Sequence, residues 1–446
     1  MISRLVLLGA TGDLAGRFLL PALAGLYADG QLPDDLQVVG AAQQDGDDES
    51  FRAHVRARLQ EHAVGVPAEV REALLGRIHY RPVDLTDPDS LARVLAVVEG
   101  AGVVVYLALP QGLFRAAAAS LAAAGLPPGS RVAVEKPFAE DLDSAVALNA
   151  LLATATDGLG EQAVFRVDHV LGMPSVRDLL GLRAPGAVLE PVWNAAHLQQ
   201  VDLLWEETLA LEGRADFYDR AGTVKDVVQN HVLQLLALVA MELPDSAGLS
   251  AARLAALRAV RPLSPAGVAS RTRRGRYAAG HLAGGGPVPD YAQEQGVDPA
   301  RGTETFAELV LELDLARWAG TRFVLRAGKA LAANRKGVRL HFRPGAPQSA
   351  AGTLWMGMDG SQQRPEPPVG PTAPVPLTVP APPAQGELAA YTEVLRDVLG
   401  GGSLLSVSRE EAEQAWRIVE PVLSGWGDGA VPLQDYPAGS DGPRRD

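Results

Sequence analysis

The segment RLVLLGATGDLAGRFLLPALAGLYADG, residues 4–30, indicates the class of fold. Its first part, RLVLLG, is a continuous apolar run typical of a buried strand, and residues 17–30 have the pattern of a helix that ends at glycine. Gly9 and Gly12 lie in the turn between them, where the backbone could approach a diphosphate at the start of the helix. We therefore predict a nucleotide-binding turn. The spacing G-x-x-G-x-x-A departs from the full fingerprint G-x-G-x-x-G, so a purely steric need for glycine remains the alternative.

The same alternation of apolar runs and helical stretches continues downstream. Further strands are predicted at LQVVGAA (36–42), GVVVYLAL (102–109) and RVAVEKP (131–137). Continuous β-branched runs between helices are typical of a parallel sheet covered on both faces. After residue 165, FAELVLELDL (306–315) and GVRLHF (337–342) alternate apolar and polar residues, which favours an antiparallel sheet. We predict an α/β domain over 1–165 and an α+β domain over 166–446.

Two segments of the second domain carry loop signals. Residues 365–383 contain nine prolines, which predicts an extended loop over 365–385. The tail YPAGSDGPRRD, residues 436–446, is predicted as loop or disordered chain.

Composition excludes several classes of function. The 446 residues carry a net charge of -13 and no long Lys/Arg run, so nucleic acid and anionic membranes are not expected partners. The chain has no cysteine, and its eight histidines show no metal-ligand spacing, so we predict no metal site. No apolar window is long enough to span a membrane, and no signal peptide is recognisable. A soluble, cytoplasmic protein is the expectation.

Two loops at predicted strand ends carry candidate ligand-binding residues. GAAQQDGDDE (40–49) places Gln43 where an adenosine ribose is expected, with no cation before Arg52. A 2′-phosphate needs a guanidinium or ammonium there, so the residues favour NAD over NADP. VEKPF (134–138) places Lys136 at a carboxyl end of the sheet, where ligands bind in such folds. Solvated loop residues are the alternative at both places.

The segment DVVQNHVLQLL, residues 226–236, combines polar and apolar faces of a helix. At helical spacing Asp226 falls on a stripe with three amides, and His231 lies among apolar side chains. A histidine in such surroundings is commonly a satisfied core residue. If Asp168, from FRVDHV (165–170), reached it, the two would instead form a base with an orienting carboxylate.

Seven motifs in order carry a family resemblance. They are GATGDLAGRFLLPAL, VYLALPQGLF, RVAVEKPF, RVDHVLG, GRADFYDRAGTVKDVVQNHVLQLLALVAME, TETFAELVLELDLARWAGTRFVLRAGKAL and EAEQAWRIVEPVL. Together they resemble the glucose-6-phosphate dehydrogenase family. The resemblance implies a Rossmann-type amino-terminal domain and a larger domain built on a broad, mainly antiparallel sheet. It also implies homodimers or homotetramers that associate through that sheet, and oxidation of a pyranose C1 hydroxyl to a lactone with hydride transfer to NAD or NADP.

The resemblance assigns roles to individual residues. His231 is the expected general base, Asp168 the carboxylate that orients it, and Lys136 a contact of both sugar and cofactor, followed by a cis peptide bond to Pro137. The expected sugar and phosphate ligands are His169, Glu207, Asp226 and Lys329. The expected cofactor-binding residues are Gly9, Thr11, Gly12, Asp13, Leu14, Gln43, Leu109, Pro110 and Lys136.

The chain also departs from the family pattern. Where relatives carry polar or cationic residues, this chain has Phe18, Val170, Met173 and Pro174. A family lysine is missing at Asn334, and Arg335 or Lys336 is close enough to compensate for it. Gln43 stands in place of a family arginine. Losing the tyrosine and lysine partners of one phosphate would cost about 3–6 kcal/mol. The nominal substrate is glucose 6-phosphate. The alternatives are the same chemistry on an unphosphorylated or modified sugar or cyclitol with NAD preferred, and a non-catalytic regulatory paralogue.

Overall fold

A computed structural model describes residues 1–97, 102–211, 213–244, 248–282, 285–344, 352–358, 377–379 and 386–444. The described strands are β1 (Arg4–Leu8), β2 (Gln37–Ala42), β3 (Ile78–Pro82), β4 (Val104–Leu107), β5 (Arg131–Glu135), β6 (Val164–Val167), β7 (Leu198–Glu206), β8 (Thr272–Ala278), β9 (Gly280–His281), β10 (Pro287–Val288), β11 (Phe306–Leu311), β12 (Arg322–Gly328), β13 (Arg335–Phe342), β14 (Thr353–Gly357), β15 (Leu377–Val379), β16 (Ser406–Val407) and β17 (Leu433–Pro437).

The α-helices are α1 (Leu20–Ala28), α2 (Asp48–His62), α3 (Ala68–Leu75), α4 (Pro88–Leu95), α5 (Phe114–Ala124), α6 (Leu142–Ala155), α7 (Pro174–Arg183), α8 (Ala215–Thr223), α9 (Leu233–Ala240), α10 (Leu249–Arg258), α11 (Pro265–Arg271), α12 (Gly386–Leu399) and α13 (Arg409–Gly427). Two segments are π-helical, Ala15–Leu19 and Val224–Val232. Short 3₁₀ helices are formed by Gln111–Leu113, Glu161–Ala163, His169–Gly172, Glu190–Val192, Tyr291–Gln293, Pro299–Arg301 and Ala316–Trp318.

The chain forms two compact units. Unit 1 comprises Met1–Met173 and Gly386–Ala412, and unit 2 comprises Pro174–Gln385 and Glu413–Asp446. The predicted division at 165/166 therefore differs from the structure in two ways: the first boundary falls later, and the chain returns to unit 1 near its end. The return is stabilised by burial, because Val394, Leu395 and Val398 of α12 pack into the apolar core of unit 1.

Unit 1 is built on a seven-stranded sheet in the order β16-β6-β5-β4-β1-β2-β3. Its strands pair in parallel except for the edge strand β16, which runs antiparallel to β6. The first strand lies between β2 and β4, so the strand order reverses there. Ligands bind at such a switch point in open α/β sheets. The predicted α/β class is confirmed.

Unit 2 is built on an eight-stranded sheet in the order β15-β14-β13-β7-β12-β11-β8-β17. Strand β7 is central, antiparallel to β13 and parallel to β12, and most of the remaining central pairs are antiparallel. The predicted broad, mainly antiparallel sheet is confirmed. Because side chains alternate along β7, Glu206 and Glu207 leave the strand end on opposite faces.

The proline-rich loop predicted for 365–385 lies outside the described residues except for β15, which pairs in parallel with β14. The tail prediction is wrong for Tyr436 and Pro437, since β17 pairs with β8 in parallel and the Tyr436 hydroxyl donates to Lys329 O at 2.7 Å. Among the described residues, no helix is both long and apolar enough to cross a membrane.

Candidate active site

The turn after β1 requires glycine at its first position. Gly9 has a φ of 84°, and a Cβ there would lie 2.2 Å from Ala108 O, in the loop that follows β4. Ala108 N in turn donates to Leu8 O at 2.9 Å, and this hydrogen bond holds the carboxyl ends of β1 and β4 together. The steric need for glycine therefore applies to Gly9, and the approach of its backbone to a diphosphate stays a prediction.

The remaining predicted cofactor residues of this turn lie beside it. Gly12 N donates to Gly9 O at 2.9 Å, and Leu14 precedes the π-helical segment Ala15–Leu19. Asp13 forms an exposed ion pair with Arg17 at 3.2 Å. In the β4 loop, Leu109 lies against the Gly9 turn, and Pro110 precedes the short helix Gln111–Leu113. These residues converge on the carboxyl edge of the sheet in unit 1.

The loop after β2 contains the predicted ribose-binding position. Gln43 is exposed, and its neighbour Gln44 accepts a hydrogen bond from the Thr11 hydroxyl at 3.1 Å. Arg52, the first cation after this loop, donates to Ile78 O at 2.8 Å and pairs with Asp48 at 3.6 Å. It is thus engaged with β3 and the start of α2 rather than with Gln43.

Acidic and phenolic groups are buried together at the ends of β4 and β5. The Tyr106 hydroxyl donates to Glu135 Oε1 in a short hydrogen bond, and Lys136 follows with the predicted cis peptide bond to Pro137. Burial raises the pKa of Glu135 to about 8, and the Asp168 carboxylate adds to the rise, although the Tyr106 hydrogen bond and the Lys136 ammonium act against it. This cluster directly precedes the predicted catalytic lysine.

The raised pKa makes unit 1 sensitive to pH through Glu135. Below pH 4.5 the Glu135 carboxyl is protonated in both the folded and the unfolded chain. Between pH 4.5 and about 8 it is ionised in the unfolded chain but still protonated in the folded chain. The free energy of unfolding should therefore fall as pH rises through this window. Glu135→Gln is expected to remove that slope. At pH 8 the free energy of unfolding of this variant should exceed that of the wild type by on the order of 3 kcal/mol.

Urea unfolding between pH 5 and 8.5 measures this effect. The exposed Glu140 provides the control, because Glu140→Gln removes a nearby carboxyl without the buried environment. Parallel pH curves for wild type and Glu135→Gln would contradict the expected role of burial.

Asp168 and His169 follow β6 directly. Asp168 is fully buried, and its Oδ1 accepts from Val170 N at 3.1 Å, so this carboxylate also caps the helix His169–Gly172. The His169 ring stacks on Tyr391 of α12 with ring centroids 5.4 Å apart. Burial and the Glu135 carboxylate raise the pKa of Tyr391 well above its usual value.

Three of the four apolar residues that are predicted to depart from the family pattern lie in unit 1. Phe18 lies 5.2 Å, centroid to centroid, from the Tyr391 ring, on which His169 also stacks. Val170 and Met173 are buried. Pro174 begins α7 in unit 2. Phe18, Val170 and Met173 therefore make apolar contacts within unit 1.

Unit 2 places the predicted sugar ligands Glu207 and Lys329 together. Lys329 Nζ lies 2.8 Å from Glu207 Oε2, and Lys336 Nζ lies 2.8 Å from Oε1. Burial would raise the pKa of Glu207, but the two ammonium groups outweigh it and hold the pKa at about 2. The carboxylate is therefore ionised at any working pH.

The structure distinguishes between the two cations predicted to compensate for Asn334. Asn334 Oδ1 accepts from Thr208 N at 2.8 Å. Arg335 pairs with Glu206 and, at 2.6 Å, with Asp441 on the opposite face of the sheet from Glu207. Of these two cations, Lys336 pairs with Glu207, whereas Arg335 pairs with Glu206 and Asp441.

His231 lies on the π-helical segment Val224–Val232, where hydrogen bonds span five residues. The stripe inferred for Asp226 assumed α-helical spacing, so it does not describe this segment. His231 is buried, and its ring centroid is 5.1 Å from that of Trp205 on β7. Nearby, burial raises the pKa of Tyr218 well above its usual value, and the Asp226 carboxylate reinforces the rise.

A buried carboxylate defines where this segment begins. Glu304 Oε1 accepts from Val224 N at 3.0 Å, satisfying a donor at the start of the segment. Gly222, with a φ of 66°, approaches so closely that a Cβ would lie 2.5 Å from the same oxygen. The bend at Gly222 and the Glu304 cap thus fix the register that carries Asp226 and His231.

Several residues near the predicted ones were not found from the sequence. They are Tyr106, Glu135, Trp205, Glu304 and Tyr391. The TETF motif held a signal for Glu304, and VEKPF for Glu135. Tyr391 had none, since more than two hundred residues separate it from His169.

Comparison with known families matches nearly the whole chain. Residues 6–178 match the glucose-6-phosphate dehydrogenase NAD-binding domain, and residues 180–355 and 373–446 match the glucose-6-phosphate dehydrogenase C-terminal domain.

Individual relatives extend the same finding. A glucose-6-phosphate 1-dehydrogenase of Zymomonas mobilis is 33% identical over 99% of this chain and 96% of its own, and one of Mycolicibacterium smegmatis is 34% identical over 98% and 94%. The crystal structure of the Mycobacterium avium enzyme has a TM-score of 0.82 at 31% identity, covering 100% of this chain and 96% of that one. A glucose-6-phosphate dehydrogenase in complex with glucose 6-phosphate reaches 0.82 at 25% identity, with the same coverage.

Proposed function

This chain belongs to the glucose-6-phosphate dehydrogenase family, and from that premise we propose that it oxidises the C1 hydroxyl of a pyranose to its lactone. The nominal substrate is glucose 6-phosphate, and the acceptor is NADP or NAD. The observation that carries the proposal is the pairing of Glu207 with Lys329 in the unit that also holds His231 on its π-helical segment. A charged pair suited to sugar hydroxyls and a buried base are both retained.

The proposed mechanism assigns a separate task to each side chain. His231 takes the C1 hydroxyl proton on an imidazole nitrogen, and Asp168 orients the ring and stabilises the imidazolium. Glu207, ionised because two lysines hold its pKa at about 2, accepts hydrogen bonds from sugar hydroxyls. Lys136 and Lys329 donate hydrogen bonds to substrate oxygens. A general base of this kind contributes roughly 10²- to 10⁴-fold in rate.

The residues of unit 1 fit a dinucleotide. The turn at Gly9 leads directly into a helix, and backbone donors at the start of a helix suit a diphosphate. Gly9, Thr11, Gly12, Asp13, Leu14, Leu109 and Pro110 would hold it. A bound nicotinamide would supply the acceptor for the hydride that leaves C1.

Gln43 is proposed to set the choice of cofactor. An arginine at this exposed loop position would add a charge-assisted partner for a 2′-phosphate. We expect Gln43→Arg to raise the ratio of kcat/KM for NADP over NAD by about ten- to a hundred-fold. Gln37→Arg, which adds the same charge at the opposite end of β2, is the control. An unchanged ratio would remove Gln43 from the cofactor site.

A second candidate is the same reaction on an unphosphorylated or modified sugar, with NAD preferred. The observation in its favour is the apolar packing of Phe18, Val170 and Met173, where the family pattern has polar groups. The missing tyrosine and lysine partners would weaken phosphate binding by about 3–6 kcal/mol.

A spectrophotometric panel that crosses NAD and NADP with glucose 6-phosphate, glucose and other hexoses separates the candidates. Turnover of glucose 6-phosphate with a KM well above that for an unphosphorylated sugar supports altered specificity. Reduction confined to NADP with glucose 6-phosphate sinks it. Cofactor binding without turnover of any sugar would instead favour a non-catalytic regulatory paralogue.

A further inference from the structure

Lys336 and Trp205 connect the sugar-binding carboxylate of unit 2 to the proposed base. They are directly opposed residues of β13 and β7, so their side chains stand on the same face of the sheet. Lys336 Nζ lies 5.1 Å from the Trp205 ring centroid, and the Trp205 and His231 centroids are 5.1 Å apart with their planes tilted by 33°. One indole thus contacts an ammonium and an imidazole.

The second lysine of the cluster has a similar arrangement. Lys329 Nζ lies 5.3 Å from the Tyr218 ring centroid, so each ammonium on Glu207 also contacts an aromatic ring. Ring faces attract cations, and a long flexible side chain held between a carboxylate and a ring keeps little rotational freedom. The two cations are therefore placed before any substrate arrives.

The register of β13 against β7 explains why Lys336, and not Arg335, contacts Trp205. Trp205 opposes Lys336, whereas Glu206 opposes Arg335, and alternate residues of a strand face opposite sides. A cation at 336 therefore lies on the His231 face, while one at 335 lies on the other face. Asn334 is engaged by Thr208.

We propose that Lys336 and Trp205 form a specificity-determining pair, in which Lys336 contacts an oxygen-rich sugar or sugar phosphate and Trp205 fixes it relative to His231. The pair rests on the proposed sugar oxidation. It assigns the two residues different effects: Lys336 acts on substrate affinity, and Trp205, a positioning residue, acts on the rate through the orientation of the base.

Steady-state kinetics of Lys336→Gln, Lys336→Arg and Trp205→Leu with glucose 6-phosphate and with glucose test the pair. Lys336→Gln should raise the sugar KM about ten-fold or more while kcat changes little, and Lys336→Arg should recover part of the loss. Trp205→Leu should lower kcat about ten-fold. The control is Arg339→Gln, since Arg339 lies 5.6 Å from the Trp355 ring on the opposite face of β13.

The outcomes separate this inference from the proposed function. If the wild type turns over and Lys336→Gln behaves like Arg339→Gln, the specificity role is wrong. If the wild type turns over no sugar, the proposed function fails, and calorimetric titration with glucose 6-phosphate then decides the inference. Weaker binding to Lys336→Gln than to the wild type supports it, whereas equal binding, or no binding to either protein, overturns it.

Discussion

Replacing His231 by asparagine is expected to lower kcat by roughly a hundred- to ten-thousand-fold while leaving the affinity for the sugar within about three-fold. Asparagine keeps a planar polar group but cannot take a proton near neutral pH. The imidazole contact with Trp205 is lost, but the cluster of Glu207 with Lys329 and Lys336 remains, so the ligand-binding residues of unit 2 are unchanged. Initial rates with NADP or NAD, and calorimetric titration of the sugar, measure the two effects separately.

The control for this prediction is a histidine on the same sheet. His341 Nε2 lies 2.7 Å from Asp202 Oδ2, on the face of β13 and β7 opposite to Trp205 and Glu207. His341→Asn should leave kcat within about two-fold. A His231→Asn enzyme that kept a tenth or more of the wild-type rate would contradict the assignment of His231 as the base.

Replacing Gly9 by alanine is expected to destabilise unit 1 and to weaken dinucleotide binding. The positive φ of 84° costs roughly 1–2 kcal/mol for a residue with a Cβ. The overlap with Ala108 O adds about 1–3 kcal/mol, because backbone on both sides must shift. The turn that would receive the diphosphate moves with it, so we expect the Kd for NADP or NAD to rise about a hundred-fold.

Two other glycines of unit 1 separate the effect of the positive φ from the effect of the close contact with Ala108 O. Gly30 has a φ of 64° with no heavy atom within 4 Å of a Cβ, so Gly30→Ala tests the backbone conformation alone. Gly25 lies in α1 without either constraint, and Gly25→Ala should be neutral or slightly stabilising. Urea midpoints and fluorescence titration of the cofactor compare the three variants. Equal behaviour of the Gly9 and Gly30 variants would show that close approach does not matter.

Features that depend on a few neighbouring residues were predictable from the sequence. The apolar run of β1 and the glycines after it specify strand and turn through local sterics, so Gly9 was located correctly. VEKPF ends β5 because proline cannot extend it, and Lys136 follows at the sheet edge as predicted. The seven ordered motifs carried the family itself, which the matches to both domains confirm.

Features that depend on contacts across long sequence separations were not predictable. The return of 386–412 to unit 1 and the stack of Tyr391 on His169 depend on packing between distant segments. The π-helical geometry of Val224–Val232 was also missed, because its start is capped by Glu304, about eighty residues away.

The chemical character of a position therefore followed from its residue type, but the face of the sheet on which its side chain lies did not. Asn334, Arg335 and Lys336 are all polar, and sequence alone allowed either cation to serve the sugar site. Strand pairing separates them, since a shift of one residue moves a side chain to the other face. Register places Lys336 on Trp205 and Glu207 and Arg335 on Glu206. Pairing partners come from elsewhere in the chain, so that choice exists only in the folded protein.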